Sequence, residues 1–422
     1  MQAEPETARN ETSSQTVGGG RSRAAFSPRV RAILLILLIP LGYLSYRSVM
    51  AYRLRSYAWE AAELRNAGRW RKLESVAADW AELDPDAALP WLMAAEGAER
   101  QGSIERVAGY LENLPPDDPR TPELLLELAT FYFGQLNQPQ QGVEACQRSL
   151  QLNPGNPEAH RRLVFYYGIT LQRSELIRQT RQAIANRGDS QETYVYLIGA
   201  NWLTFSNAYE FNGKWLRSGQ NTETYAVAEA LHARGSANAF PRNEDVEEVD
   251  EDRVKRLEHQ KMLRKFLGVY PENIELLVYF LEQAVIRGDE AEVATLLGQV
   301  PATAADDNRV WYYKGWLNST RDEFQEAEAS YRKALELHPY AWRSQLDLAN
   351  VLRRMNRFDE VEELNRLSIM GKQIREQVLQ LPDVQSVPVP LFRKMQEYAA
   401  GCGDEVTAVR MAERLENLDT AE

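Results

Sequence analysis

The sequence predicts an all-α solenoid built from tandem helix hairpins. The first observation is a regular interval between prolines, since Pro85, Pro119 and Pro154 lie 34 and 35 residues apart. The second is that apolar residues recur with helical spacing inside successive segments of the same length. Self-similarity at a period of roughly 20–50 residues indicates units that bury their apolar faces by stacking on their neighbours.

Composition and charge narrow the possible functions. The chain has 422 residues, of which 44% are hydrophobic and 26% charged. These values exclude a multi-span membrane protein and a wholly disordered chain. The net charge of −12 makes a nucleic-acid partner unexpected, because such partners attract positive surfaces. Two cysteines exclude a disulfide scaffold, and four histidines leave little for a zinc site.

The N-terminal region is predicted to contain a tail and one membrane segment. Residues 1–28 lack a hydrophobic pattern and are expected to be disordered. Residues 29–52 are predicted to be a single transmembrane anchor, because 32–46 carry no charge and helical extension to 52 reaches about 30 Å. Arg47 would then lie at the interface. A buried core helix and a signal peptide cleaved after Ala51 remain alternatives.

Basic residues near the segment suggest its orientation. Four arginines lie shortly before the uncharged stretch 32–46 and three lie shortly after it: Arg21, Arg23, Arg29, Arg31, Arg47, Arg53 and Arg55. This excess favours a cytoplasmic N-terminus. We therefore expect a single-pass membrane protein with its repeat domain outside the cytoplasm, in the periplasm if the cell is bacterial.

The clearest repeat unit spans residues 308–341. Its small and aromatic residues and its final proline are Trp311, Gly315, Ala327, Tyr331, Ala334 and Pro339. This pattern resembles the tetratricopeptide repeat (TPR), although Lys314 and Asn318 stand where that family usually has large apolar residues. The small residues would let the two helices of the hairpin approach closely, and Pro339 would end the second helix.

Six other segments fit the same template in phase. Together with 308–341 they are 54–87, 88–121, 123–156, 157–190, 274–307 and 342–375. The predicted organisation is therefore TPR-like repeats over 54–190 and again over 273–375. The resemblance implies a right-handed superhelix, and we expect its winding to keep distant units out of contact.

Two regions break the period. Residues 191–272 are predicted to be irregular repeats, with helices near 223–234 and 253–268 and an acidic insertion at 243–252. The insertion is interpreted as a solvated loop or a contact for a cation or basic partner, and it lacks the calcium-loop pattern. Residues 376–422 are predicted to form a C-terminal helical cap with helices at 391–400 and 404–418.

Motifs for catalysis or cofactor binding are absent. The sequence has no phosphate-binding glycine loop, no nucleophile elbow and no zinc-protease motif. The histidines, at 160, 232, 259 and 338, fall in different repeats and are expected to be exposed or hydrogen-bonded. No catalytic residue, metal or cofactor is predicted, and the chain is not expected to be an enzyme or to bind a small-molecule substrate.

The cysteines are expected to stay unpaired. Cys146 falls in an apolar position of its repeat, whereas Cys402 lies between two glycines at a predicted turn. We therefore expect Cys146 to be buried and Cys402 to be exposed and more reactive.

The TPR resemblance implies that the first helices of the units line a groove. The groove candidates are Glu127, Phe131, Arg161, Phe165, Tyr312, Trp316, Leu346 and Asn350. Phe131 and Phe165 could equally pack between units. The four N-terminal candidates occupy the positions where one subfamily clamps chaperone tails with Lys and Asn, so that clamp is not supported.

The predicted function is a membrane-tethered scaffold that binds a peptide segment or a partner subunit in the groove. One alternative is an assembly or chaperone-type accessory factor of an envelope machine for secretion, cytochrome maturation or polysaccharide export. Another is a regulatory subunit of an enzyme. The sequence does not identify the partner.

Overall fold

A computed structural model describes residues 28–205, 207–233 and 250–419. Regular structure in this part of the chain is helical throughout, which confirms the predicted all-α class. The first eight helices are α1 (Pro28–Asn66), α2 (Trp70–Leu83), α3 (Ala88–Glu99), α4 (Ile104–Leu111), α5 (Thr121–Phe133), α6 (Pro139–Leu152), α7 (Pro157–Ile169) and α8 (Arg173–Ala185). The next four are α9 (Gln191–Ile198), α10 (Ala208–Leu216), α11 (Thr222–His232) and α12 (Asp250–Val269). The last eight are α13 (Ile274–Arg287), α14 (Glu290–Leu297), α15 (Asn308–Thr320), α16 (Phe324–Leu337), α17 (Trp342–Arg354), α18 (Val361–Val378), α19 (Val389–Gly401) and α20 (Glu405–Asp419).

Each of the seven predicted units holds one pair of packed helices. The first unit pairs the end of α1 with α2, and the last pairs α17 with α18. In the clearest unit, a methyl group added at Gly315 would lie 2.7 Å from the Tyr331 ring. Ala327 and Ala334 are fully buried in the same pair. Small residues therefore set the close approach of α15 and α16, as the pattern predicted.

The irregular middle of the chain packs back onto the N-terminal pairs. Helices α11 and α12 lie where helices were predicted, and α10 adds a short helix before them. Trp215 on α10 is buried, and its indole N–H donates to the carbonyl of Phe133 at 3.1 Å. The buried Asn212 amide donates to the carbonyl of Ile169 at 2.8 Å. Most of the predicted acidic insertion at 243–252, like nearly all of the N-terminal tail, lies outside the described residues.

The C-terminal hairpin returns to the middle of the chain. Asp189, just after α8, has a fully buried carboxylate that accepts hydrogen bonds from Arg410 and Arg414 of α20. Arg181 of α8 lies 3.0 Å from Asp404, the residue before α20. We call these five residues the closure contact. The ring of Phe392 on α19 lies 5.5 Å from that of Tyr194 on α9.

The closure contact corrects an expectation. Superhelical winding was expected to hold distant units apart, whereas α19 and α20 pack against α8 and α9. One continuous cluster of buried apolar side chains includes Leu163 of α7, Phe392 of α19 and Met411 of α20. The physical reason is that α20 carries the arginines that pair with the buried Asp189 carboxylate, while apolar side chains of α19 and α20 join the core of α7 and α9.

The predicted exposure of Cys402 is too large, although Cys402 is still the less buried of the two thiols. Both cysteines are free, and Cys146 is buried as expected. Cys402 is half-buried rather than exposed, and its sulfur accepts a hydrogen bond from the Gln345 amide at 3.3 Å. Burial raises the pKa of each thiol to about 12. Neither thiol is therefore activated as a thiolate.

The helix that carries the predicted anchor is long but largely unpacked where its side chains are described. Six of its large apolar side chains are exposed: Tyr43, Leu44, Tyr46, Val49, Tyr52 and Trp59. Across the described residues, no helix has the length and the apolar content that a membrane crossing requires.

Candidate functional site

Two pockets bring aromatic and arginine side chains together. One pocket, which we call the inner pocket, is lined by Trp202, Glu282, Tyr312, Trp342, Arg343 and Arg375, among others. The second, which we call the aromatic pocket, is lined by Phe133, Arg161, Phe165, Phe211 and Trp215, among others. Each lies where helices of successive pairs converge.

The inner pocket is built by the first helices of three successive pairs. Helix α13 contributes Glu282, α15 contributes Tyr312, and α17 contributes Arg343. The segment after α9 adds Trp202, and α18 adds Arg375. Its volume is about 90 Å³, so it accepts a small group.

Electrostatic contacts organise the inner pocket. The Arg343 guanidinium lies 2.7 Å from a carboxylate oxygen of Glu282 and 5.5 Å from the centre of the Trp342 ring. Burial and the neighbouring charge of Arg343 lower the pKa of Arg375, whose guanidinium lies 6.0 Å from the centre of the Trp202 ring. The pocket therefore places two guanidinium groups and the Glu282 carboxylate between aromatic walls.

A buried charge cluster adjoins the inner pocket. Arg309 donates to the carboxylates of Asp307 and Glu275, with distances of 2.5–3.0 Å. Arg173 at the start of α8 is buried near the same acids, and its burial lowers its pKa to about 10. The cluster connects α8 to α13 and to the start of α15, two helices that line the inner pocket.

One histidine in this region departs from the sequence expectation. His338 was expected to be exposed or hydrogen-bonded, yet its ring is fully buried and neither nitrogen has a partner among the described residues. Burial, reinforced by the nearby Arg181 charge, lowers the pKa of His338 to about 3. The imidazole is therefore neutral near pH 7, because its charged form would be desolvated without a partner.

The aromatic pocket is partly filled by the chain itself. Phe165 packs edge-on against Phe205 and Phe211, with ring centres 6.2 and 5.8 Å apart. Arg161 is exposed and forms two 2.8 Å hydrogen bonds to Glu158. The pocket has a volume of about 290 Å³ and lies where α10 approaches α7.

The predicted groove residues are spread over several places. Arg161 and Phe165 line the aromatic pocket, and Tyr312 lines the inner pocket. Phe131 and Trp316 are half-buried against core clusters. The remaining three are exposed on first helices without lining either pocket: Glu127, Leu346 and Asn350.

Sequence reasoning missed most of the inner pocket. Trp202, Glu282, Trp342, Arg343, Ser344 and Arg375 were not among the predicted site residues. Trp342 and Arg343 could have been suspected, since they open a first helix of the repeat array. No signal marked Trp202 or Arg375, because Trp202 follows α9, where the repeat period is lost, and Arg375 lies on a second helix.

No metal site is evident in the described part of the chain, where no group of three or more metal-ligating side chains comes together. No protein-family model matches the sequence, and no curated protein matches it.

Among solved structures, helical repeat proteins are similar to the chain. A tetratricopeptide repeat protein from Parabacteroides merdae has 12% identity, covers 71% of this chain and 99% of that one, and gives a TM-score of 0.27. Yeast Tom70 has 14% identity, coverages of 90% and 94%, and a TM-score of 0.25. The APC/C hetero-tetramer Cut9-Hcn1 has 10% identity, coverages of 87% and 79%, and a TM-score of 0.32. At scores this low, the function has to be argued from the residues of this chain.

Proposed function

We propose that the chain is a membrane-tethered, non-enzymatic scaffold that binds an extended peptide segment or a partner subunit. The observation that carries this proposal is the inner pocket, formed where the first helices of three successive pairs converge. Its lining includes Trp202, Tyr312, Trp342 and three arginines. Aromatic and arginine side chains in a desolvated pocket are the residues that most often anchor a protein interface.

The proposed tether is the first part of α1. Residues 32–46 carry no charge, and apolar side chains within and after this stretch, such as Leu44 and Val49, are exposed. We propose that this segment stays in the membrane uncleaved, with the N-terminus in the cytoplasm and the repeats outside it. Tethering would raise the effective concentration of the scaffold for a partner at the same membrane.

Site-specific photo-crosslinking tests the proposal on the full chain in its own membranes. A photoreactive residue would replace Tyr312 in the inner pocket or Phe165 in the aromatic pocket. The control position is Glu336 on α16, whose side chain is 68% exposed. We expect one stoichiometric partner to crosslink from the pocket positions but not from Glu336.

Three outcomes contradict the proposal. Crosslinks to many unfolded clients favour a chaperone-type factor. Equal crosslinking from Glu336 would show that the partner does not bind at the pockets. Loss of the chain from membranes washed with alkaline carbonate contradicts the tether.

A further inference from the structure

A third pocket, which we call the polar pocket, is lined by the first turns of α8 and α13 and by one face of α11. Its volume is about 210 Å³, the space of about seven water molecules. Leu171, Val227 and Ile274 form an apolar part of its wall, whereas Arg173 and Glu275 are charged. Such a lining suits a polar group on an apolar stem.

Hydrogen-bond donors in the polar pocket lack acceptors. Arg173 is 6% exposed, and its Nε and Nη1 atoms make no hydrogen bond to any described residue. Gln172, the residue that precedes α8, makes no side-chain hydrogen bond to the backbone N–H groups of the first turn. Because an unmet buried donor destabilises the folded chain, the pocket favours a ligand that carries an acceptor.

The charges around the polar pocket balance one another. Its wall and the ion pairs of that wall hold three carboxylates and three guanidinium groups: Glu175, Glu275, Asp307, Arg173, Arg178 and Arg309. His232 is also close to Arg173, but burial and that positive charge lower its pKa to about 4, so the imidazole is neutral near pH 7. A neutral ligand therefore leaves the balance intact, whereas a carboxylate or an ammonium group adds an unpaired charge.

A carboxamide meets these conditions. Its oxygen accepts hydrogen bonds, its nitrogen donates them, and it carries no net charge. The oxygen would accept from the Arg173 guanidinium. The nitrogen would donate to the Glu275 carboxylate, whose oxygens have lone pairs beyond those that Arg309 occupies. Water makes the same hydrogen bonds but leaves the apolar part of the wall hydrated, whereas an amide with a methylene stem covers it.

We propose that the polar pocket binds the side-chain carboxamide of a glutamine or asparagine within the partner segment. The polar pocket and the inner pocket share the buried charge cluster, since Asp307 lines the first and its partner Arg309 lines the second. This inference rests on the proposed scaffold function and adds a second point of recognition to it.

Ligand-observed NMR on the full chain in detergent provides the test. The probe is N-acetylglutamine methylamide. Two comparison compounds keep its backbone: the glutamate counterpart carries a charge, and the homoleucine counterpart has an apolar group of the same shape. We expect saturable binding of the glutamine probe, with an affinity at least tenfold higher than that of either comparison compound.

Two variants assign this binding to the polar pocket. Arg173→Met removes the unmet donors and should lower the affinity at least tenfold. Thr224→Phe fills the pocket from a half-buried position on α11 and leaves Arg173 in place, so it decides the question even if Arg173→Met does not fold. It should also lower the affinity at least tenfold.

The matched control is Thr222→Phe, because Thr222 is exposed on the same helix and does not line the pocket. It should leave the affinity unchanged. Equal affinity for the glutamate or the homoleucine compound overturns the inference, and so does binding that Thr224→Phe leaves unchanged. Absence of saturable binding overturns it in favour of water as the acceptor. Partner crosslinking from Tyr312 that survives any of these results would leave the scaffold function intact.

Discussion

The seam between α15 and α16 and the closure contact stabilise the same chain by different means. The seam is apolar and local, with Gly315 and Tyr331 only 16 residues apart in sequence and packed against each other. The closure contact is charged and distant, since Asp189 and Arg410 are 221 residues apart. The comparison teaches that repeat packing is encoded by a periodic pattern, whereas closure depends on a few individual side chains.

Removal of the Asp189 carboxylate should produce the largest effect. Asp189→Ala leaves Arg410 and Arg414 without their shared acceptor and removes the 2.7 Å hydrogen bond from the Tyr194 hydroxyl. Breaking a buried pair in this way costs about 3–5 kcal/mol. We expect that loss in urea unfolding, with faster amide exchange in α19 and α20 than in α15 and α16.

The control for this variant is Glu363→Ala, which removes an exposed pair with Arg366. Pairs of that kind contribute little to stability. If Asp189→Ala is no more destabilising than Glu363→Ala, the closure contact does not hold the C-terminal hairpin.

The seam is tested by Gly315→Ala. The added methyl would lie 2.7 Å from two carbons of the Tyr331 ring, so the helices must separate or the ring must shift. Overpacking of this kind typically costs about 1–3 kcal/mol. Thermal or urea unfolding measures the loss, which should centre on the α15–α16 pair in amide exchange.

Gly268→Ala provides the matched control, because Gly268 is also helical but an added methyl group there would have no neighbouring atom within 4 Å. Alanine there should be neutral or stabilise by up to about 1 kcal/mol through helix propensity. Destabilisation of equal size at both positions would show that close packing at Gly315 is not the cause.

Acidification should lower the free energy of unfolding by a smaller amount, through His338 beside the closure contact. The pKa of His338 is about 3 in the folded chain, whereas the ordinary pKa of histidine, 6.5, applies in the unfolded chain. Between pH 3 and pH 6.5 the unfolded chain therefore binds more protons than the folded chain. Stability must therefore fall as the pH falls, by about 1.4 kcal/mol per pH unit for this group. Unfolding measured at pH 6 and pH 5 should show this slope, and His338→Gln should reduce it by that amount.

Some acid sensitivity should remain in the His338→Gln variant. Burial also lowers the pKa of His232 to about 4, so this group adds to the slope in the same direction. An identical slope in the wild type and the variant would show that His338 is charged in the folded chain.

The seam could be predicted from the sequence and the closure contact could not. Gly315, Ala327 and Tyr331 lie at fixed positions of a repeated template, and each repetition supports the others. Asp189 follows a glycine in a segment typical of a turn, and Arg410 and Arg414 are spaced like residues on a solvated helix face. Only the folded chain brings these three together.

The difference between periodic and individual contacts also explains which residues of the inner pocket could be predicted. Tyr312 was found because it occupies a groove position of a regular unit. Arg375 and Trp202 meet it from segments more than 60 and 100 residues away, outside any repeated template. Periodicity identifies faces of helices, whereas the charge of a pocket depends on which faces converge.

The sequence separation within the closure contact also determines how long the contact is missing during synthesis of the chain. A ribosome adds about 5–20 residues per second, so the 221 residues between Asp189 and Arg410 take roughly 10–45 s to synthesise. Throughout that interval α8 and α9 lack the hairpin that covers them. The half-made chain therefore presents an apolar surface with an unpaired carboxylate beside it, and proteases and chaperones meet that surface before α20 exists.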